Sequence, residues 1–461
     1  MTFANAIKQT PVQARTTNGM KAQSNSLNPV VDLFFQIGAS RGKNVTSLFE
    51  RAYQHDPILA TKVALWTRDV RGGAGERQLF RDILVHLESL HPEMLEKVIP
   101  HVPIFGRWDD LLVFKTTAFK HKAYTFIGDA LREGNGLAAK WMPRKGNIAV
   151  EIRNFFGMTP KQYRKSLVAL TNVVETLMCA KEFDKIDFSK LPSLASARYQ
   201  KAFARNTPST YTAYKEALSK GEAKINASAV YPYDVVKSIK NGDAIVAKAQ
   251  WEALPDFLGE ANILPMVDVS SSMCCPAGGN PNLRCIDIAV SLGLYISDKN
   301  KGAFKDVFLT FSEKTKLEVL TGDILSKYAQ LVRAEWGMST NLHAAFNAVL
   351  EVAVKQQVPH KDMPEYILIL SDMQFNHCAK YDDSAIQMIE RKYKEAGYEI
   401  PKIVFWNLNS SSTVPVSFDQ RGTALVSGFS PAILKAVLSG SEFTPERIML
   451  SAIDIERYNV L

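Results

Sequence analysis

The pattern of apolar and polar positions divides the chain into two parts. From Leu27 to about Ala253, apolar residues recur at three- and four-residue spacing in segments such as NVTSLFERAYQ, DPILATKVALWTRDV and ERQLFRDILVHLESL. This spacing places the apolar side chains on one face of a helix. Pro57 and Pro92 follow turn residues, and proline in the first turn of a helix costs no hydrogen bond. The first part is therefore predicted to be a HEAT-like α-solenoid that forms a curved or closed array.

After Ala261 the pattern changes to short apolar runs separated by helical stretches. The runs ANILPMVDV, KDVFLTFS, EYILILSD and PKIVFWNLN are rich in Ile, Val, Leu and Phe, which is typical of buried parallel strands. Alternating strands and helices predict a doubly wound α/β domain, whose functional edge lies at the carboxyl ends of the strands. We therefore predict a flexible polar tail at residues 1–26, a helical-repeat domain at 27–255 and an α/β domain at 262–461.

The predicted strand ends carry oxygen-bearing side chains. The first strand ends in Asp268-Val269-Ser270-Ser271-Ser272, so one carboxylate and two hydroxyls can converge on one point above the sheet. Asp372 follows another strand at the same edge, and Thr340 stands near the start of a predicted helix. Oxygen ligands of this kind suit a hard cation such as Mg²⁺, with water and a partner's carboxylate completing the octahedron.

This array resembles the metal-ion-dependent adhesion site of von Willebrand factor A domains. The resemblance implies that Mg²⁺ or Mn²⁺ is bound by Asp268, Ser270, Ser272, Thr340 and Asp372. The alternative is a domain that keeps the fold and binds no ion.

Charge is distributed unevenly between the two parts. Residues 1–260 contain 36 Lys and Arg against 25 Asp and Glu, whereas residues 261–461 contain 19 against 22. This distribution favours a polyanionic partner for the first part. Basic and aromatic residues stand together around Trp141 and Tyr163, and single-stranded RNA requires both cations and stacking faces. The candidate RNA contacts are Lys140, Arg144, Lys145, Lys161, Arg164 and Lys165, and the alternative is a solvated helix surface with both aromatic rings in the core.

A glycine-rich turn between Arg68 and Arg77 is a weaker candidate site. Such a turn before a helix can bind phosphate through its N–H groups, but this one lacks the Lys-Ser/Thr of a P-loop. We favour a tight turn between helices with both arginines in ion pairs. Metalloprotease and nucleophile-elbow motifs are absent from the sequence, so we do not expect an enzyme. The alternative is a metal-dependent nuclease that uses Asp268 and Asp372.

Cysteine usage and hydropathy bear on the compartment. Five cysteines, an odd number, argue against a disulfide framework. The chain has no apolar run of about 18 residues and no signal-peptide core, so we expect a cytoplasmic protein without a membrane span. We call the sheet edge that carries Asp268, Ser270, Ser272, Thr340 and Asp372 the metal edge. Cys274 and Cys275, together with His377 and Cys378, are expected near it. We interpret the cysteines as buried or loop thiols, with zinc ligation as the alternative.

Three motifs of the helical part carry a further resemblance. WTRDVRGGAGER, KWMPRK and YRKSLVAL, followed by the D-x-S-x-S array, resemble the Ro RNA-binding proteins, and more closely the Ro-related family of phages and bacteria. The similarity extends from about residue 27 to the C-terminus. It implies a TROVE module, in which a ring of HEAT-like repeats is closed against a von Willebrand factor A domain.

In Ro proteins the central hole of this ring binds single-stranded RNA ends, and its basic outer face binds small structured RNAs. The resemblance therefore implies a ribonucleoprotein in which the helical part binds RNA and the metal recruits a protein partner through an Asp or Glu. The alternative function is a metal-dependent protein-interaction scaffold that does not bind RNA.

Overall fold

The computed structural model describes residues 13–171, 173–241, 244–277, 280–311, 316–333, 341–375, 385–409, 413–439 and 442–461. Helices make up most of the ordered structure before residue 253, and a six-stranded, mostly parallel sheet follows. This arrangement confirms the predicted combination of a helical part with an α/β part. Within the described ranges, no helix has both the length and the apolar character that a membrane span requires.

Some helices of the first part begin at residues whose side chains cap the first turn. The Asn28 side chain accepts hydrogen bonds from the N–H groups of Val30 and Val31, and Asp56 caps the helix that starts at Pro57. Pro57 and Pro92 both begin helices, as predicted. The helices are α1 (Pro29–Ile37), α2 (Thr46–His55), α3 (Pro57–Arg68), α4 (Arg77–Leu90), α5 (Pro92–Val98), α6 (Val102–Phe105), α7 (Thr117–Arg132), α8 (Gly136–Trp141), α9 (Asn147–Phe155), α10 (Pro160–Leu170), α11 (Val174–Cys179), α12 (Ser193–Asn206), α13 (Pro208–Ser219), α14 (Pro232–Asn241) and α15 (Ala244–Glu252).

The sheet of the second part is covered by helices. The strands along the chain are β3 (Ile263–Asp268), β4 (Val307–Phe311), β5 (Lys316–Val319), β6 (Tyr366–Ser371), β7 (Lys402–Asn407) and β8 (Thr423–Ser427). They lie in the order β5-β4-β3-β6-β7-β8, and only β5 runs antiparallel to its neighbour. Every residue of β3 and β6 is buried, which is expected for central parallel strands with helices on both faces. The helices are α16 (Cys285–Lys299), α17 (Ile324–Arg333), α18 (Leu342–Lys355), α19 (Ala385–Glu395), α20 (Leu434–Ser439) and α21 (Pro445–Ile453).

The first helix of the helical part packs directly on the end of the sheet. The Ser427 hydroxyl, at the end of β8, donates to the Phe34 carbonyl at 2.7 Å and accepts from the Gly38 N–H at 3.0 Å. The Asn407 amide, at the end of β7, donates to the Phe35 carbonyl at 3.2 Å. Buried hydrogen bonds of this kind satisfy the last carbonyls of α1, so the two parts share an interface here.

The last helices of the helical part also contact the α/β part. Trp251 in α15 donates its indole N–H to Asp298 in α16 at 2.8 Å, and the Tyr295 hydroxyl donates to the Pro255 carbonyl at 2.5 Å. A continuous apolar core runs through both parts, and a smaller separate core surrounds Phe188 and Phe203. Both ends of the helical part are therefore packed on the α/β part.

Residues 1–26 were predicted to form a flexible tail, but residues 13–23 form a β-hairpin. A hairpin of β1 (Gln13–Arg15) and β2 (Lys21–Gln23) is bridged to Val414 through Gln23, with backbone hydrogen bonds of 2.8 and 2.9 Å. Met20 and Ala22 are buried, so even this polar segment contributes apolar side chains to the core. Residues 1–12 lie outside the described residues.

Candidate metal centre and nucleic-acid interface

The structure brings four of the five predicted metal-binding residues to one edge of the sheet. Strands β3 and β6 are parallel neighbours, so Asp268 at the end of β3 and Asp372 just after β6 lie at the same edge. Asp268 is 0% exposed and Asp372 is 3% exposed. Ser270 and Ser272 follow β3 at the start of a short 3-10 helix, Ser271–Cys274, whereas Thr340 lies outside the described residues.

Hydrogen bonds fix the orientation of these oxygen atoms. One carboxylate oxygen of Asp268 accepts from the Ser270 N–H at 2.9 Å, and the other accepts from the Ser371 hydroxyl at 2.6 Å. The hydroxyl oxygens of Ser270 and Ser272 are 3.0 Å apart. One carboxylate and two hydroxyls are thus collected beside Asp372, in the arrangement that the spacing predicted.

The electrostatics of this edge favour a cation. Burial raises the pKa of Asp268 to about 6, and the neighbouring charge of Asp372 adds to the increase. Burial also raises the pKa of Asp372. Two neighbouring buried carboxylates repel each other, and a divalent ion between them would replace that repulsion with attraction. The donor set and its charge therefore fit a hard divalent cation.

The sequence did not identify Ser371 as part of this site. Its hydroxyl donates to Asp268 and accepts from the Met373 N–H at 3.0 Å. Met373 has a φ of 64°, which lies in the left-handed region that residues other than glycine rarely adopt. Ser371 therefore holds both the Asp268 carboxylate and the sharp turn that carries Asp372.

The cysteines near the metal edge form a pair that sequence spacing did not reveal. The sulfur atoms of Cys275 and Cys285 are 3.5 Å apart, and Cys285 is buried. Among the described residues, no third histidine, cysteine or carboxylate lies close enough to complete a zinc site with this pair. Cys274 is exposed, and Cys378 lies outside the described residues.

The predicted RNA contacts occupy two adjacent segments of the helical part. The Tyr163 hydroxyl in α10 donates to the Pro143 carbonyl at 3.2 Å, which joins α10 to the turn after α8. Of the six cations, Lys140 is half-buried and lies 3.9 Å from Glu175. The other five are exposed. We refer to the set Lys140, Arg144, Lys145, Lys161, Arg164 and Lys165 as the basic surface.

The two aromatic residues of this region have different environments. Tyr163 is only 4% exposed, so its ring belongs to the core and cannot stack on a base. For this residue the alternative interpretation is correct. Trp141 is half-buried, and the Arg107 guanidinium lies 4.0 Å from its ring centroid. Arg107 was missed because it lies 34 positions before Trp141 in the sequence.

The glycine-rich turn between α3 and α4 is a tight connection between helices. The N–H groups of Gly73, Ala74 and Glu76 already donate to backbone carbonyls at 2.7–3.1 Å, so they cannot also surround a phosphate. Arg68 is buried and pairs with Asp110 at 2.7 Å. Arg77 is exposed. The tight turn and the ion pair of Arg68 are therefore confirmed, whereas among the described residues no ion pair of Arg77 is found.

Two family models match the chain. Residues 262–457 match a family described as Domain of unknown function (DUF7788). Residues 16–113 and 143–262 match another, described as Domain of unknown function (DUF2828). The junction of the two matches at residue 262 coincides with the start of the sheet, since β3 begins at Ile263.

A relative and a solved structure extend this comparison to nearly the whole chain. Uncharacterized protein L728 of Acanthamoeba polyphaga mimivirus is 31% identical over 505 residues, which cover 95% of this chain and 87% of the relative. The crystal structure of the Deinococcus radiodurans RO (RSR) protein matches with a TM-score of 0.51 and 15% identity, over 93% of this chain and 99% of that one. The fold is therefore Ro-like, as the sequence motifs predicted.

Proposed function

This chain belongs to the family of the mimivirus protein L728, and we propose that its Ro-like fold binds RNA through the basic surface of the helical part. The observation that carries the proposal is the Tyr163–Pro143 hydrogen bond, which holds the two basic segments side by side. Exposed cations on neighbouring segments can contact successive phosphates of one strand.

The stacking element of this proposed interface is Trp141 together with Arg107. The Arg107 guanidinium lies over the half-buried indole of Trp141, and planar groups of both kinds can stack on an unstacked base. Duplex RNA presents mainly phosphates and hydroxyls and keeps its bases stacked. Single-stranded RNA is therefore the preferred ligand in this proposal.

The helical part is proposed to close into a ring against the α/β part. This proposal is supported by the contacts at its two ends, α1 with Ser427 and α15 with Asp298. A third contact joins the α3–α4 turn to the C-terminal segment, where Asp69 accepts hydrogen bonds from Arg457 at 2.5 and 3.0 Å.

The metal edge is proposed to recruit a protein partner. Asp268, Ser270, Ser272, Thr340 and Asp372 would hold Mg²⁺ or Mn²⁺, and the bound ion would offer a coordination position to a carboxylate of the partner. The role proposed for this edge is binding and not catalysis.

A protein-interaction scaffold is the second candidate function. It is favoured by the burial of Tyr163, which removes one of the two stacking surfaces expected of an RNA groove. In this reading the metal edge is the main binding site, and the basic surface keeps the protein soluble.

Retention of RNA on filters separates the two functions. We expect the full-length chain to retain a random single-stranded RNA pool at low salt, and a duplex of the same length more weakly. A protein that retains no RNA pool at low salt, while still binding Mn²⁺, would replace the RNA-binding function with the scaffold.

A further inference from the structure

Three side chains of the helical part lie close together in the structure. All three belong to the first hundred residues of the chain, far before Asp268. Glu50 lies in α2, His86 lies in α4, and His91 lies between α4 and α5. The Nε2 atoms of His86 and His91 are 2.7 and 2.9 Å from the same carboxylate oxygen of Glu50. One ligand atom from each residue lies within 4.8 Å of the other two. We propose that Glu50, His86 and His91 form a second metal site, which binds Zn²⁺ or a similar late first-row divalent ion.

The donor atoms determine which class of ion this site would select. Two imidazole nitrogens and one carboxylate oxygen form a set that zinc commonly takes, with about 2.0–2.2 Å to each ligand. Hard ions such as Mg²⁺ prefer oxygen ligands. The site would therefore select a different ion from the one expected at Asp268.

The geometry requires only a small adjustment to accept the ion. Tetrahedral bonds of about 2.0–2.1 Å place neighbouring ligand atoms roughly 3.4 Å apart. The observed separations of 2.7 and 2.9 Å from the Glu50 oxygen would therefore widen by about half an ångström. Small rotations of partly exposed side chains can supply this change without moving the helices.

The surrounding residues hold the three ligands in place. The Gln54 amide donates to Oε1 of Glu50 at 3.1 Å. The other oxygen, Oε2, faces the two imidazoles. The Tyr53 ring stacks on His91 with 3.8 Å between centroids, and the Phe49 ring meets His86 edge-on at 6.0 Å. Outer contacts of this kind fix ligand orientation in metal sites. Tyr53 and Gln54 follow Glu50 by three and four residues, so they lie on the same face of α2.

The three proposed ligands are partly accessible to solvent. The side chains of Glu50, His86 and His91 are 21%, 16% and 22% exposed. Three protein ligands leave the fourth tetrahedral position to water or another ligand. The bound ion would join α2 to the α4–α5 turn.

Metal titration of the full-length, chelator-treated chain in excess Mg²⁺ tests this proposal. We expect one Zn²⁺ per chain by calorimetry, a tetrahedral Co²⁺ absorption spectrum, and a higher melting temperature with Zn²⁺. Glu50→Gln and His91→Gln should each weaken Zn²⁺ binding by 100-fold or more. Asp268→Ala, at the metal edge, and His121→Gln, at an exposed histidine elsewhere, should leave Zn²⁺ affinity unchanged.

A ligand exchange provides a signature that a purely structural hydrogen bond would not give. In His91→Cys the Co²⁺ complex should acquire a thiolate charge-transfer band, because sulfur replaces one nitrogen ligand. Circular dichroism establishes that each variant is folded. A wild-type chain that binds neither Zn²⁺ nor Co²⁺, folded Gln variants with unchanged affinity, or a folded His91→Cys variant without the new band would overturn the proposal.

Discussion

The Ser371 hydroxyl donates a 2.6 Å hydrogen bond to a carboxylate oxygen of Asp268, 103 residues earlier in the chain. Both residues are 0% exposed, so water cannot replace this contact. The bond joins the ends of two neighbouring parallel strands and sets the direction of the other carboxylate oxygen. Ser371 therefore acts as a positioning residue for the proposed Mg²⁺ or Mn²⁺ site.

Removing this hydroxyl should weaken metal binding without removing a ligand. We expect Ser371→Ala to reduce Mn²⁺ affinity by about 10- to 100-fold, the usual effect of losing an outer-shell partner. Titration of Mn²⁺ by calorimetry measures the change. Ser297→Ala is a matched control, because Ser297 is also 0% exposed but its hydroxyl bonds to the Leu294 carbonyl within α16. Equal affinities for the wild type and Ser371→Ala would contradict the positioning role.

Neutralising Asp268 should stabilise the metal-free protein and abolish its response to metal. Its folded pKa of about 6 exceeds the ordinary 3.8, so the unfolded chain ionises first and ionisation opposes folding. The free energy of unfolding therefore falls as pH rises between these values, by up to about 3 kcal/mol. The Asp268→Asn variant should not lose this stability, because an asparagine side chain cannot ionise.

The measurement for Asp268→Asn is thermal unfolding with and without Mn²⁺. At pH 7.5 without metal, we expect the variant to melt at a higher temperature than the wild type, whereas near pH 3.5 the difference should disappear. Mn²⁺ should raise the melting temperature of the wild type alone. A variant that is less stable at pH 7.5, or that still responds to Mn²⁺, would count against this assignment.

The approach of Asp268 to Asp372 could be predicted because it follows from strand polarity. Parallel neighbours end at the same edge, so Asp268 and Asp372 had to approach each other once both strands were recognised. The role of Ser371 depends on sheet register, which the apolar runs alone do not specify. The Glu50, His86 and His91 cluster depends on how α2 packs against α4, and degenerate helical spacing does not specify that packing.

Burial of individual aromatic and polar residues was harder to predict. Tyr163 and Trp141 stand in similar basic segments, yet only Tyr163 lies in the core. The β1–β2 hairpin was interpreted as a tail because Met20 and Ala22 are isolated among polar residues. The hairpin is held in place by backbone pairing of Gln23 with Val414, which lies almost 400 residues later. Local composition contains no information about contacts of that range.

The contact between α1 and β8 leaves no room for a side chain at Gly38. A Cβ atom there would lie 2.7 Å from the backbone carbonyl and the hydroxyl of Ser427. Gly38→Ala should therefore lower the free energy of unfolding by about 1–3 kcal/mol, as overpacking does. Urea unfolding of the wild type and the variant measures this change in the free energy of unfolding. Gly397→Ala is the control, because its Cβ would meet nothing within 4 Å and only its φ of 78° opposes the change. A smaller effect at Gly38 than at Gly397 would show that this interface is loose.

The contact between Asp69 and the C-terminal segment should couple the two parts energetically. Asp69 is buried and accepts hydrogen bonds from Arg457 at 2.5 and 3.0 Å and from Tyr458 at 3.0 Å. In a double-mutant cycle of Asp69→Asn and Arg457→Met, we expect a coupling energy of about 1–2 kcal/mol. The value is limited because the Arg457 side chain is 36% exposed and therefore screened by water. Additive effects in urea unfolding would exclude this coupling.

Replacement of the exposed basic residues tests the proposed RNA interface. Combined substitution of Arg144, Lys145, Arg164 and Lys165 by Ala should remove most RNA affinity. It should also lower the salt dependence of binding, because each phosphate contact with single-stranded RNA contributes a slope of about 0.7 in log affinity against log salt. If all four contact phosphates, the slope should fall by nearly 3. Filter binding of a single-stranded RNA pool between 50 and 200 mM salt measures both quantities.

Two control variants determine whether that loss is local. A charge-matched control removes four exposed cations of the α/β part, namely Lys355, Lys361, Lys394 and Arg421. It changes net charge equally, so a general electrostatic attraction would weaken to the same extent in both variants. Asp268→Ala should leave RNA affinity nearly unchanged, because the metal edge lies in the other part of the chain. Equal losses in the two four-residue variants would mean that RNA is attracted by net charge and not by the basic surface.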